Sequence, residues 1–297
     1  MIRMSSTGDL IAAMRGARDV RLVAYTLPPG RVLDGLIQAS RAGARVRVRL
    51  EGDVYKHGGG IGAINRAAIA ELRAAGADAA LAHTGQDAPG SMLHLKAALV
   101  DGALFLDDRN WLDHGGDTIV RDDSERDAAM VDDALAGRCD RASPFFAVAK
   151  RQSLALEARL LDAGRRGDDA IVESESFGAG NRVFNALDDL ARRGGHVRLL
   201  VNSRDLAGNA SERGALARLS ADGVAVRMSD VAEKFAVLDG SRGWLGSTNA
   251  TIAFDRPDQL DWGARTGAPD VIAHLGQAFE ERWSGAREFG TFTPVSC

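Results

Sequence analysis

"DVRLVAYTLPPGRVLDGLIQASRAGARVRVRLEG" (residues 19–52) is answered far down the chain by "DAIVESESFGAGNRVFNALDDLARRGGHVRLLVNS" (169–203). Each stretch reads as strand, loop, helix, glycine, strand. Val32, Leu33, Leu36 and Ile37 recur at helical spacing, as do Val183, Phe184, Leu187 and Leu190. Val46, Val48 and Leu50 alternate with polar residues, and so do Val197, Leu199 and Val201. Repetition on this scale constrains architecture more than any local assignment. Strands that alternate with helices argue for an α/β fold.

The duplication continues outward. "RAAIAELRAAGADAALA" (66–82) parallels "RGALARLSADGVAVRM" (213–228), with Gly76 and Gly223 where a helix should end in the left-handed region. "MLHLKAALVDG" (92–102) parallels "VAEKFAVLDG" (231–240), and each leads into a further strand, "ALFLDDRNW" or "RGWLGSTNA". Helical stretches at 124–137 and 269–283 close the two halves, and 145–164 reads as a helix between them. The expected plan is a first repeat over 1–143, a linker helix over 144–168 and a second repeat over 169–297. Each half should hold a mixed β-sheet flanked by helices. The halves should pack about a pseudo-twofold axis, like an isologous dimer fused end to end.

Composition sets the outer bounds. The 297 residues are 45 % hydrophobic and 26 % charged, which is ordinary for a globular chain. A net charge of −4 excludes a global basic field for non-specific nucleic-acid binding and leaves room for a local groove. No run of 18 apolar residues exists, so no membrane span is expected. The opening "MIRMSSTGDLIAAMRGARD" lacks a secretory pattern. A cytoplasmic monomer is the simplest expectation; the mature form of a longer precursor would read the same, and obligate dimerisation is the less favoured alternative. Cys139 and Cys297 have no disulfide or metal-ligand spacing and read as reduced thiols.

Within the duplicated segments, His94, Lys96 and Asp101 are followed by Gly102. In the second copy Lys234, Asp239 and Gly240 keep the spacing, and Gly246, Ser247, Thr248 and Asn249 follow. The first set resembles the His-x-Lys-x4-Asp motif of the phospholipase D superfamily. The second resembles that motif without its histidine, trailed by the usual Gly-Ser-x-Asn. The resemblance covers about residues 19–285 and implies a metal-independent, cofactor-free phosphodiesterase acting on a phospholipid or nucleic-acid phosphodiester. By this resemblance His94 is the nucleophile and forms a phosphohistidine. Lys96, Lys234, Asn110 and Asn249 bind phosphate, with Ser247 assisting. Asp101 and Asp239 orient or structure the site.

The chemistry suits these residue types. Lysine puts a point charge and donors where negative charge develops on the phosphoryl oxygens. Imidazole attacks phosphorus and is later released by water. A carboxylate such as Asp101 can hold the other ring nitrogen.

Two departures from the family pattern bear on function. Ala232 stands where the second histidine belongs. A positioned general acid is worth about 10²–10⁴ in rate, so its loss leaves a slow enzyme, an enzyme with another acid, or a phosphate-binding pseudoenzyme. An engineered His-to-Ala change in a two-histidine enzyme reads the same way. Glu233, His114, Glu173 and Glu175 are the candidate substitutes, with Glu233 expected to point away from Lys234. Second, Asp107 and Asp108 replace the Gly-Ser of the first trailing segment, where they repel an anion unless Arg109 screens them.

Other signals stay structural. "KHGGGIG" (56–62) lacks a phosphate-loop ending and reads as a connector. Arg45, Arg47 and Arg49 share one strand face, expected to be solvated or ion-paired. His57, His83, His196 and His274 show no ligand spacing. The added loop 83–92 is either a cover for the site or a surface insertion.

Overall fold

A computed structural model describes residues 2–52, 60–82, 93–112, 117–136, 143–206, 209–251 and 259–290. His57, His83, His114, both cysteines, the loop 83–92 and most of the glycine-rich run at 56–62 lie outside them. The chain divides into two units. The first comprises 1–153 with 253–262, and the second comprises 154–252 with 263–297.

The first unit contains β1 (Ile2–Ser5), α1 (Thr7–Met14), β2 (Asp19–Ala24), α2 (Arg31–Arg41), β3 (Arg45–Glu51), α3 (Gly60–Ala74), β4 (Asp78–Ala82), β5 (Ala97–Val100), β6 (Ala103–Asp107), β7 (Ile119–Asp122) and α4 (Glu125–Leu135). The strands lie in the order β1-β7-β6-β5-β2-β3-β4. β2, β3 and β4 are parallel, as strand-helix-strand units require, while β5, β6 and β7 form an antiparallel meander on β2. The even-numbered apolar residues Val20, Leu22, Val46, Val48 and Leu50 pack on α2 and α3 with Leu33, Leu36, Ile69 and Leu72. The short β8 (Phe146–Ala147) and α5 (Lys150–Asp162) carry the chain onward.

The second unit repeats the plan with β9 (Asp169–Ser174), α6 (Arg182–Arg192), β10 (His196–Asn202), α7 (Ser203–Leu206), α8 (Ala210–Ala221), β11 (Ala225–Ser229), β12 (Phe235–Leu238), β13 (Arg242–Gly246), β14 (Gly263–Thr266), α9 (Pro269–Gly285) and β15 (Arg287–Glu288). Its strands follow the order β15-β11-β10-β9-β12-β13-β14. β9, β10 and β11 are parallel, and β12 to β14 are antiparallel. Both units are therefore mixed sheets flanked by helices. The α/β duplication expected from sequence is what the chain folds into.

The correspondence extends to single hydrogen bonds. Asp101 N–H donates to Asp19 O at 2.9 Å, and Asp239 N–H donates to Asp169 O at 2.7 Å. Both Asp-Gly pairs adopt positive φ (47° and 90°, then 52° and 57°); the first closes a two-residue hairpin, and the second a three-residue loop that adds Ser241. Gly76 and Gly223 end their helices at φ 91° and 101°, as their sequence positions required. Among the described residues no helix is long and apolar enough to cross a membrane.

Candidate active site

His94, Leu95 and Lys96 form the approach to β5, just ahead of its first ladder residue. Glu51 at the end of β3 accepts the Leu93 N–H at 2.5 Å, and His94 N–H donates to Leu260 O at 2.9 Å. The backbone around the histidine is thus held from two sides. Its Nδ1 lies 2.7 Å from Asp261 Oδ1. Asp261 is fully buried, and its other oxygen accepts from Gln259 Nε2 at 2.8 Å. Burial alone would push this carboxyl up. The His94 imidazole, reinforced by the Lys96 and Lys150 ammonium groups, outweighs it and holds Asp261 below the usual carboxylate range.

An ionised Asp261 accepts a hydrogen bond from Nδ1–H, which leaves the lone pair of the neutral ring on Nε2. The Tyr25 ring flanks the imidazole at 5.2 Å, tilted by 58°. Lys96 is fully buried, donates to the His94 carbonyl at 2.7 Å, and lies 5.7 Å from the Tyr25 ring centre. Asn110 Oδ1 accepts the Thr26 N–H at 3.3 Å, beside Tyr25.

The second unit builds the same corner differently. Strand register matches Val23 to Glu173, because they face Ala97 and Phe235 in the two copies. Tyr25 then corresponds to Glu175 and Leu95 to Glu233. Lys234, 2 % exposed, lies 2.8 Å from Glu175 Oε2, so a carboxylate replaces the aromatic ring beside the lysine. Ala232, at the position of the imidazole, is 1 % exposed. Glu173 accepts the Glu233 N–H at 2.9 Å, and Arg282 bridges both carboxylates at 2.8 and 3.3 Å. Burial raises Glu173 to about 7. Arg282 opposes that rise, and the neighbouring Glu233 charge adds to it. Ser247 and Thr248 are buried, and Asn249 Oδ1 is a buried acceptor without a hydrogen bond among the described residues.

Residues 167–283 match the family model described as cardiolipin synthase, PLD-like domain. Residues 167–283 therefore form a PLD-like domain, of the phospholipase D superfamily. Phosphodiester transfer or hydrolysis is the chemistry of such a domain. Among solved structures, phosphatidylserine synthase from Haemophilus influenzae Rd KW20 aligns over 98 % of this chain and 90 % of its own, with TM-score 0.63 and 11 % identity. Polyphosphate kinase from Porphyromonas gingivalis aligns over 95 % of this chain, with TM-score 0.63 and 14 % identity. This chain spans 50 % of that enzyme's length. A phospholipase D family member, Nuc, from Salmonella typhimurium aligns over 48 % of this chain and 97 % of its own, with TM-score 0.42 and 18 % identity. At these identities the first two likenesses establish the fold alone. No curated protein matches the sequence.

The phospholipase D-like corner corrects one expectation. Asp101 does not hold the imidazole. It follows β5 while His94 precedes it, and its carboxylate accepts the Arg18 and Asp19 N–H groups at 2.8 to 3.2 Å. A strand's length separates the two residues, so the motif aspartate pins a hairpin turn. Asp239 occupies the matching exposed turn in the second unit. The carboxylate on the ring is Asp261, which sequence reading missed. A signal was present: Asp117 and Asp261 each stand two residues before the strand that closes a repeat. Lys150, from the linker helix, was missed as well.

Asp107 and Asp108 turn out to be buried structural acceptors. Asp107 caps the Trp111 N–H at 2.5 Å and Asp108 accepts from Thr118 N–H at 2.9 Å. Asp117, 3.6 Å from Arg109 Nε, completes a group of three carboxylates with ligand atoms within 4.8 Å of one another. Of the four substitutes for the missing imidazole, Glu173 and Glu233 are tied to Arg282 and Glu175 to Lys234. His114 lies outside the described residues.

Proposed function

We propose that this chain is a phosphodiesterase or phosphodiester transferase in which His94 is the nucleophile. Nε2 attacks phosphorus, the bond from phosphorus to the ester oxygen breaks, and the alcohol leaves. Water, or an acceptor alcohol in transfer, then attacks the phosphohistidine and the phosphorus–nitrogen bond breaks. Asp261 holds the ring in the attacking tautomer and stabilises the positive charge that the imidazole acquires. Lys96, Asn110, Lys234, Ser247 and Asn249 are assigned to phosphate contacts. Asp101 and Asp239 shape the hairpins that carry the lysines.

The single observation that supports this reading is the buried, ionised Asp261 at 2.7 Å from Nδ1 of the motif histidine. Ala232 limits the rate where the leaving alcohol needs a proton. Aryl esters, which leave as stable phenolates, should therefore turn over faster than alkyl esters by about 10²-fold or more. The substrate is a phospholipid headgroup ester or a nucleic-acid phosphodiester. Parallel assays with both, alongside bis(p-nitrophenyl) phosphate, separate the two classes.

Trapping by an alkaline denaturing quench tests the mechanism. A base-stable, acid-labile phosphoryl adduct should form on the wild-type chain and be absent from His94→Ala. Turnover that survives His94→Ala would overturn it. The rival reading is a phosphate-binding pseudoenzyme, favoured by Ala232 and by the carboxylate at 2.8 Å from Lys234. It predicts tungstate binding with no adduct and no turnover of any ester.

A further inference from the structure

A groove of about 370 Å³ lies on the first unit's sheet, on the face away from α2 and α3. It is lined by Arg21, Val23, Arg47 and Arg49 and by Asp132, Leu135 and Ala136 at the end of α4. The duplication supplies a reference for what belongs there. Asp19 and Asp169 hold equivalent places in β2 and β9. Arg45 faces the first and His196 the second, so Arg47 corresponds to Arg198. The closing strands match at Asp122 and Thr266, which face Leu104 and Gly243. Counting on without a gap, Ala136 corresponds to Glu280.

In the second unit that pair is complete. Arg198 donates both terminal nitrogens to Glu280 at 2.7 and 3.0 Å, the two-pronged geometry that arginine and carboxylate share. In the first unit the arginine is kept and the carboxylate is gone. Among the described residues Arg47 reaches Asp19 only at 3.4 Å, and its buried Nε has no acceptor. Asp19 is already engaged by Arg45 at 2.7 Å and by Arg21 at 3.0 Å. Arg21 also pairs with Asp132, and Arg49 with Asp78 at 3.0 Å. Four arginines therefore face three aspartates on this patch, and Arg47 is the one served worst. A buried donor without an acceptor is costly, and an unmatched guanidinium beside an open groove suits an oxyanion.

We propose that this groove is a binding site for a small amphiphilic oxyanion. The anionic head takes the place at Arg47 that Glu280 fills at Arg198, and a short apolar body lies against Val23, Leu135 and Ala136. Carboxylate and phosphate heads share this chemistry, so the probes are hexanoate and monohexyl phosphate.

The test is calorimetric titration and thermal melting of the full chain, with Arg47→Met and Ala136→Glu as variants. Binding of at least one probe to the wild type is expected, weakened tenfold or more in Arg47→Met. Ala136→Glu should raise the melting temperature without ligand and abolish the further rise that the probe gives, because the new carboxylate occupies Arg47. The Arg47 Nε–H resonance should shift with probe in the wild type, an observation that stands if either variant folds poorly. Failure of both probes to bind at about 10 mM, or binding equally tight in both variants, would overturn the proposal. Equal binding would instead locate the probe at the lysines of the candidate active site, and that reading would be untouched.

Discussion

Replacing Asp261 by asparagine removes one charge and little volume. The native carboxylate is fully buried, 2.7 Å from Nδ1 of His94, and shares its remaining acceptor capacity with Gln259. At 2.7 Å, with an effective dielectric near 20, its gross attraction for an imidazolium is about 6 kcal/mol. Lys96 and Lys150 draw on the same charge. A charge-assisted hydrogen bond of this kind contributes about 1.5–3 kcal/mol net, so turnover of bis(p-nitrophenyl) phosphate should fall about 10- to 150-fold. Stability should fall too, by about 3 kcal/mol, because buried cations lose their counter-charge. Asp261 is depressed below its ordinary 3.8 in the folded chain. Its contribution is therefore present above that value and lost as pH falls through the folded pKa. The stability deficit of Asp261→Asn should be full at pH 7 and shrink below about pH 4. Denaturant titrations at pH 7, 5 and 3, run beside the kinetic assay, measure both. Wild-type turnover together with unchanged stability at pH 7 would refute the account of the His94 corner.

The remaining expectations concern the second unit and the turns. Ala232→His should raise alkyl-ester turnover more than aryl-ester turnover, within the 10²–10⁴ range of a restored acid, at about 1–3 kcal/mol of overpacking in a site that is 1 % exposed; a paired ester assay reads the ratio. Glu175→Gln should tighten tungstate binding about two- to fivefold by releasing Lys234 from a partly exposed carboxylate, which calorimetry can follow. Glu173 rises from 4.5 to about 7, so its folded form is favoured at low pH and penalised as pH climbs through 7. The stability of Glu173→Gln relative to wild type should accordingly improve between pH 5 and 8 by up to about 3 kcal/mol, and a flat difference would count against the raised value. Asp101→Ala should cost about 1–2 kcal/mol in a thermal melt while leaving tungstate affinity unchanged, since Asp101 serves two backbone N–H groups and no ligand.

The two copies also show what tolerates change in this architecture. Backbone contacts such as Asp101 N–H to Asp19 O and Asp239 N–H to Asp169 O persist, because every ladder group needs its partner. Side chains at matching places diverge freely: Tyr25 and Glu175, Val23 and Glu173, Leu95 and Glu233. At these three positions the second corner is ionic where the first is aromatic and apolar. Lysine keeps its place in both but meets a ring in one copy and a carboxylate in the other.

Sequence alone determined the duplication, the α/β class, the Asp-Gly hairpins and the left-handed Gly76 and Gly223, and it singled out His94 and Lys96 as the candidate centre. Those features rest on local periodicity and on short spacings, which a chain displays before it folds. The N-terminal β1 and α1 escaped notice because four and eight residues carry too little periodicity to stand out. Tertiary structure alone decided which carboxylate meets the imidazole. Asp101, seven positions from His94 in the chain, is carried to the other end of a strand, while Asp261, 167 positions away, is brought to 2.7 Å. Hydrogen-bond reach is set by where β5 begins and where residues 259–262 run, and no spacing within a motif encodes that.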